Sequence, residues 1–330
     1  MRARARAATA ARALAVALGA ALAAAPAAAF DLQGHRGALA LAPENTLPGV
    51  ERALEVGVTT LELDVVMTRD GVPVVGHDRR LNPALVRDAD GRWLDEPTPV
   101  VFALDLAQLQ RFDVGRLRPE TAYAAAYPQQ QAVDGAHMPT LAQVFERVAA
   151  LGARNVRFNL ETKISPLEPD ASPEPEAFVR ALLAVIDAHG VRGRVSVQSF
   201  DWRTLDAVRR LAPEVPRVAL TIQTPRVDNL AGGRWTAGRA LAAHGGSVPK
   251  LVHAAQAQVW SPLHGNLTRE LLAEARALGL AVIPWTVNEP ADIERLLDWG
   301  VDGLISDHPE RVRDAMARRG LPLPPPTRRQ

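Results

Sequence analysis

Cysteine is absent from all 330 residues, so no disulfide can brace the chain and a folded domain must be held by its core alone. Lysine is nearly absent as well: among 38 basic residues only Lys163 and Lys250 are not arginine. Against that background, a lysine inside a charged motif marks a specific chemical need. Acidic residues are missing from the first 29 positions. There Arg2, Arg4, Arg6 and Arg12 precede an uncharged, alanine-rich run from Ala13 to Ala24, and Pro26-Ala27-Ala28-Ala29 comes next. The apolar run falls short of the roughly 20 residues that span a bilayer. The pattern predicts a secretory signal peptide over residues 1–29, cleaved near Ala29, and a periplasmic or secreted product with no stable membrane anchor. Loss of the four arginines takes the formal net charge from +1 to about −3. A charge-driven attraction to nucleic acid is thereby excluded.

Beyond Ala29, short β-rich runs alternate with helical segments, the pattern of a parallel α/β fold. Strands are expected at 31–34, 59–66, 156–162, 194–200, 217–222, 257–261, 281–287 and 302–306. Helical periodicity is seen in Leu47, Val50 and Leu54, and over 141–151, 175–189, 202–211, 268–278 and 291–299. Gly57, Gly152, Gly190, Gly279 and Gly300 stand where left-handed caps are needed. Eight such units over residues 30–319 suit one TIM-type (β/α)₈ barrel, with a doubly wound open sheet as the alternative. Val72–His77 breaks the alternation. The turn Arg69-Asp70-Gly71 is too short for a helical crossover, so this piece should fold back antiparallel as a hairpin. Residues 79–139, without clear period, read as an insertion over the barrel mouth, and 225–256 as a second one. The proline-rich tail, residues 320–330, is expected to be disordered.

In Leu61-Glu62-Leu63-Asp64-Val65 the two acids are two residues apart and share one face of a strand. A strand between parallel neighbours is usually apolar on both faces, so these acids must be paired, solvated or bound to metal. Glu161 and Lys163 repeat the device in Asn159-Leu160-Glu161-Thr162-Lys163. Carboxylates at Glu62, Asp64 and Glu161 suit one hard divalent cation, Ca²⁺ or Mg²⁺, and equally a salt-bridge cluster around Lys163. The hairpin returns His77 beside Asp64. His35 lies in Gly34-His35-Arg36-Gly37 at the end of the first strand, between glycines that allow close approach of a ligand. Two histidines, one neutral and one protonated near pH 7, can act as general base and general acid. Arg36 and Lys163 can hold phosphate oxygens, the first as a planar fork and the second as a point charge.

These residues lie in a series of motifs that resembles the glycerophosphodiester phosphodiesterase family. In order they are Gly34-His35-Arg36-Gly37, Pro43-Glu44-Asn45-Thr46, Glu62-Leu63-Asp64-Val65, Thr68-Arg69-Asp70-Gly71 and Pro73-Val74-Val75-Gly76-His77-Asp78. Pro139-Thr140-Leu141, Glu161-Thr162-Lys163, Gln198-Ser199-Phe200, Trp285-Thr286-Val287-Asn288 and Gly300 to Asp307 complete the series. The resemblance implies a TIM-type barrel with His35 and His77 as the acid/base pair. It makes Glu62, Asp64 and Glu161 the metal ligands, with Arg36 and Lys163 at the phosphate. It further implies that Glu44 orients Arg36 and caps the helix beginning near Thr46, and that Gln198 and Trp285 line the pocket. For Trp285, packing at the barrel top is an equal alternative. The family reaction has a glycerol hydroxyl attack phosphorus, giving a cyclic phosphate that water opens to glycerol phosphate. The direction of the substrate is open; His77 is taken as the acid. Thr162 stands where an aliphatic residue is common, and its side chain should face away from the site.

Two rivals share the scaffold. A phospholipase C- or lysophospholipase D-type enzyme should present an apolar rim, for which Trp93, Val100, Val101 and Phe102 are the candidates. A non-catalytic phosphate-binding protein would be free to lose a histidine or carboxylate, yet every expected member is present.

Overall fold

A computed structural model describes residues 30–327; the expected signal segment, residues 1–29, lies outside the described residues. In chain order the regular elements begin with β1 (Asp31–Gly34), α1 (Leu47–Val56), β2 (Thr60–Met67) and β3 (Pro73–Val75). Two short helices, α2 (Leu106–Leu109) and α3 (Ala122–Ala126), precede α4 (Leu141–Ala150) and β4 (Arg157–Thr162). Then come α5 (Pro175–Ala188), β5 (Val195–Ser199), α6 (Trp202–Leu211), β6 (Arg217–Thr221), α7 (Val248–Ala254) and β7 (Val259–Pro262). The chain finishes with α8 (Arg269–Ala277), β8 (Ala281–Val282), α9 (Pro290–Trp299), β9 (Gly303–Ser306) and α10 (Pro309–Arg318).

Eight strands run parallel in the order β8-β7-β6-β5-β4-β2-β1-β9. The ring closes between its two ends through backbone bonds from Asp302 N to Val282 O, Ile305 N to Pro284 O and Val287 N to Ile305 O. This is the expected (β/α)₈ barrel, not an open sheet. β3 pairs antiparallel with β2, Val65 opposite Val75 and Met67 opposite Pro73, so the hairpin reading holds.

Helices pack their apolar stripe on the outer face of the barrel. α5 buries Phe178, Val179, Leu182, Leu183 and Ile186, spaced to form one side of a helix. Truncating a fully buried aromatic such as Phe178 to alanine costs about 3–5 kcal/mol. Thr46 begins α1 by accepting from the Gly49 backbone, and Gly57 ends it with φ of 86°. The other four expected cap glycines also have positive φ.

Three expectations need correction and one gains detail. Residues 225–256 are not simply an insertion, because they contain α7, the crossover helix before β7, whose Leu251 and Val252 are buried in the core. Its short period is masked by the glycine-rich turns before it. The strand expected at 281–287 shrinks to Ala281–Val282, since Pro284 can donate no ladder bond. The insertion at 79–139 has a core of its own, in which Leu81, Val86, Val101, Leu109, Val114 and Met138 pack on Val66 and Val74. The tail is tied down through Thr327: its backbone donates to Leu54 O, and Arg313 donates to Pro324 O at 2.6 Å. Disorder therefore does not describe residues 321–327.

Candidate active site

The register of the barrel decides which side chains meet. Asp64 on β2 is the lateral partner of Glu161 on β4, and Glu62 that of Asn159. Glu161 in turn neighbours Gln198 on β5. All of them point into the barrel interior, whereas Leu61, Leu63 and Val65 face the helices and are fully buried. Thr162 also faces outward, as expected, with its hydroxyl 2.8 Å from that of Thr204 on α6.

Glu62, Asp64 and Glu161 each bring a carboxylate oxygen within 4.8 Å of the others, all three buried. Asp64 Oδ2 accepts from Asn45 Nδ2 at 2.8 Å, while Asp64 Oδ1 is buried with no hydrogen-bond donor. Buried acceptors are rarely left unpaired, and an oxygen-only donor set with one orphaned oxygen fits a hard divalent ion. The cluster and the salt-bridge reading are not exclusive: Lys163 Nζ lies 2.8 Å from Glu161 Oε1 and 3.6 Å from Asp64 Oδ1.

Burial and charge set the protonation. Burial and the neighbouring Asp64 push the Glu62 carboxyl up to about 8. Burial would raise Asp64 too, but Lys163, His77 and Arg36 outweigh it and hold Asp64 well below the usual carboxylate range. Glu161 is raised by burial, against the pull of Lys163. A bound divalent cation would draw all three to the ionised form.

His35 and Arg36 sit on the tight turn after β1. A Cβ at Gly34 would lie 2.1 Å from Gly37 O, and one on Gly37, whose φ is 90°, would meet the Gly49 backbone at 2.8 Å. Arg36 itself holds φ of 52°, a left-handed conformation unusual outside glycine. The turn aims the Arg36 backbone N–H at Glu62 Oε2, at 2.9 Å, and its guanidinium at Glu44 and Asp64, at 2.8 and 3.4 Å. Glu44 thus orients Arg36, as the resemblance implied; the helix cap is Thr46, not Glu44.

His35 Nδ1 lies 2.5 Å from Asp307 Oδ1 and its Nε2 lies 3.9 Å from Glu62 Oε2. Burial would lower the His35 pKa, but Asp307 more than offsets it and the imidazole is raised above its ordinary value. Burial likewise opposes ionisation of Asp307, yet His35 holds it down to about 2. Nδ1 therefore carries the proton toward Asp307, leaving Nε2 for the site. His77 Nδ1 pairs with Asp78 at 2.8 Å, and Asp78 also accepts from Asn82. His35 and His77 line one cavity of about 460 Å³ together with Arg36, Tyr123, Tyr127, Asn288 and others.

The two residues expected to line the pocket have these surroundings. Gln198 is 1% exposed and lies under the site, donating to Glu62 Oε1 at 2.5 Å. Trp285 is half-buried, donates to Ser261 O and packs edge-on against Phe200 with centroids 5.3 Å apart. Five further contributors received no role from the sequence. Asn45, Asn288 and Asp307 lie inside the quoted motifs, and Asn288 donates to Asp307 at 2.5 Å. Tyr123 and Tyr127 are the chain's only tyrosines. From α3 and its end they donate to Glu44 and to Asp307 respectively, so the insertion reaches the site. Their four-residue spacing was the available signal.

Known proteins share this fold. Residues 35–311 match the model of the glycerophosphoryl diester phosphodiesterase family. The chain belongs to that family. A glycerophosphodiester phosphodiesterase from Bacillus subtilis is 30% identical over 280 residues, 84% of this chain and 83% of the relative. A solved structure from Silicibacter pomeroyi assigned to the same family has a TM-score of 0.80 and 37% identity, covering 89% of this chain and 95% of its own. A phosphodiesterase from Oleispira antarctica, solved with the product sn-glycerol-3-phosphate, shares the fold at a TM-score of 0.64 and 22% identity over 86% of this chain and 96% of its own. Membership makes the chain a metal-dependent enzyme of glycerophosphodiester hydrolysis.

The candidate lipid rim does not form. Trp93 is held between Arg87 and Arg118, and Val101 is buried in the core of the insertion. Among the described residues no helix is long and apolar enough to cross a membrane.

Proposed function

We propose that His35 and His77 are the acid/base pair by which this chain hydrolyses glycerophosphodiesters to glycerol 3-phosphate and an alcohol. The observation that carries the reading is the convergence of both histidines, Arg36, Lys163 and three carboxylates around one cavity mouth. Glu62, Asp64 and Glu161 would hold one Ca²⁺ or Mg²⁺, which supplies Lewis-acid neutralisation of a non-bridging phosphate oxygen when bound. Arg36 and Lys163 bind the remaining phosphate charge.

His77 takes the proton from a glycerol hydroxyl as that oxygen attacks phosphorus. The bond from phosphorus to the head-group oxygen breaks, and His35 Nε2–H protonates the departing alkoxide. In the second step His35 accepts a proton from water as it attacks the cyclic phosphate, and His77 returns its proton to the glycerol oxygen released. Atoms and charge balance, and both histidines end as they began. This division reverses the one taken from sequence. Its support is that Asp307, 3% exposed at its side chain, raises the His35 pKa against burial and so favours the imidazolium form there. The features of residues 1–29 support action outside the cytoplasm. The test is glycerol 3-phosphate release from glycerophosphocholine by wild-type protein and by His35→Ala and His77→Ala.

A further inference from the structure

Below the carboxylate cluster the barrel interior is polar where hydrocarbon is usual. Gln33 on β1, Asn159 on β4 and Gln198 on β5 are 2%, 0% and 1% exposed. They form one hydrogen-bonded chain with a fixed polarity. At its lower end Asp31 accepts from Thr59 and Thr60 at Oδ1, where it also forms an ion pair with Arg157, and from Gln33 Nε2 at Oδ2, 2.9 Å away. Gln33 Oε1 then accepts from Asn159 Nδ2 at 2.9 Å. The same Nδ2 donates to Gln198 Oε1 at 2.8 Å, and Gln198 Nε2 donates to Glu62 Oε1. Ser196 Oγ donates to Asn159 Oδ1 at 2.9 Å.

An amide can be turned over at little steric cost, so its orientation is set by its partners. Here both ends of the chain are carboxylates, which only accept when ionised, the form that a bound divalent cation imposes on Glu62. Reversing Gln198 would set its carbonyl against Glu62, and reversing Gln33 would set its carbonyl against Asp31. Asn159 reconciles the two by giving both hydrogens to the two inward carbonyls. We propose that Asp31, Gln33 and Asn159 form a polarity relay that locks the Gln198 amide with its N–H toward Glu62, making them positioning residues for the divalent ion. Gln198 at Oε1 and the Arg36 backbone N–H at Oε2 then fix the Glu62 carboxylate plane, leaving its other lone pairs for the ion. The proposal rests on the assignment of Glu62, Asp64 and Glu161 to the metal.

Asn159→Asp gives a sharp test because two effects oppose. The substitution is close to isosteric and adds negative charge next to the site, which by Coulomb attraction alone tightens cation binding. The relay predicts the reverse, since a carboxylate in place of the Asn159 amide cannot donate to two carbonyls and Gln198 turns its oxygen toward Glu62. The measurement is calorimetric titration of the metal-stripped full chain with Mg²⁺, beside wild type, Glu161→Gln and Gln33→Met. Asn159→Asp should bind Mg²⁺ about 10- to 100-fold more weakly. Its kcat and KM for glycerophosphocholine should return toward wild-type values at saturating Mg²⁺. Gln33→Met, which keeps volume but cuts the chain from Asp31, should weaken binding several-fold. An Asn159→Asp protein that binds Mg²⁺ as tightly as wild type, or more tightly, overturns the relay. If that variant does not fold, an affinity for Gln33→Met within about twofold of wild type, well short of the loss that follows from disturbing a metal's supporting hydrogen bonds, overturns it. Glu161→Gln separates the two claims: if it too binds as wild type does, the metal assignment fails and the relay with it.

Discussion

His35 Nδ1 and Asp307 Oδ1 lie 2.5 Å apart, joining the turn after the first strand to the end of the last one. The direct parallel pairing of β1 with β9 brings the two together, so the state of the imidazole depends on a residue 272 positions away in sequence. Asp307 raises the His35 pKa against the opposing effect of burial. An acid with a raised pKa stays protonated further into the alkaline range, and its activity falls as pH rises through that pKa. In Asp307→Asn the raising influence is gone and burial remains. The alkaline limb of kcat/KM should therefore move to lower pH, with about a tenfold loss on that limb per unit moved. An unmoved limb, measured with both proteins at saturating metal, removes His35 as the acid.

The acid/base division makes the leaving group diagnostic. His35→Ala and His77→Ala should each lower kcat on glycerophosphocholine by about 10² to 10⁴. On a glycerol nitrophenyl phosphodiester the phenolate leaves unprotonated, so His35→Ala should recover most of its rate and His77→Ala should not. Recovery of His77→Ala alone restores the opposite division. Equal recovery of both refutes any division.

Metal binding should also register as stability. An ion that binds only the folded protein, present at about 100 times its dissociation constant, adds about 2.7 kcal/mol. Mg²⁺ or Ca²⁺ should raise Tm of wild type, and Glu62→Gln, Asp64→Asn and Glu161→Gln should each abolish most of the rise. A full rise in all three variants places the ion elsewhere.

Tyr123 donates to Glu44, which in turn holds Arg36, while Tyr127 donates to Asp307. Tyr123→Phe should thus raise KM several-fold with little change in kcat, because a hydrogen bond to a charged group is worth about 1.5–3 kcal/mol and Glu44 keeps its bond to Arg36. Tyr127→Phe should shift the alkaline limb in the same direction as Asp307→Asn, by less. Unchanged KM in the first variant would mean that α3 merely covers the site.

The barrel and its carboxylates were legible because each rests on local pattern. Glu62 and Asp64 share a face by the two-residue period of a strand, and Asp70-Gly71 leaves no room for anything but a hairpin. Lys163 stood out against an arginine background. Asp307, Tyr127 and Asn159 were not legible in their roles, since each acts through a partner that only strand pairing, the barrel interior or the insertion brings near. The helix α7 was missed because its 7 residues are too short to show a period. The tail misled for a different reason: proline removes donors, but Pro324 O and the Thr327 backbone still found partners in Arg313 and Leu54.

The most direct measurement is the product and rate formed from glycerophosphocholine before and after exhaustive EDTA treatment. The site at the barrel mouth predicts glycerol 3-phosphate and choline as products, a rate abolished by chelation, and its return with added Mg²⁺ or Ca²⁺. Phosphocholine and glycerol as products, or an undiminished rate after chelation, would contradict it.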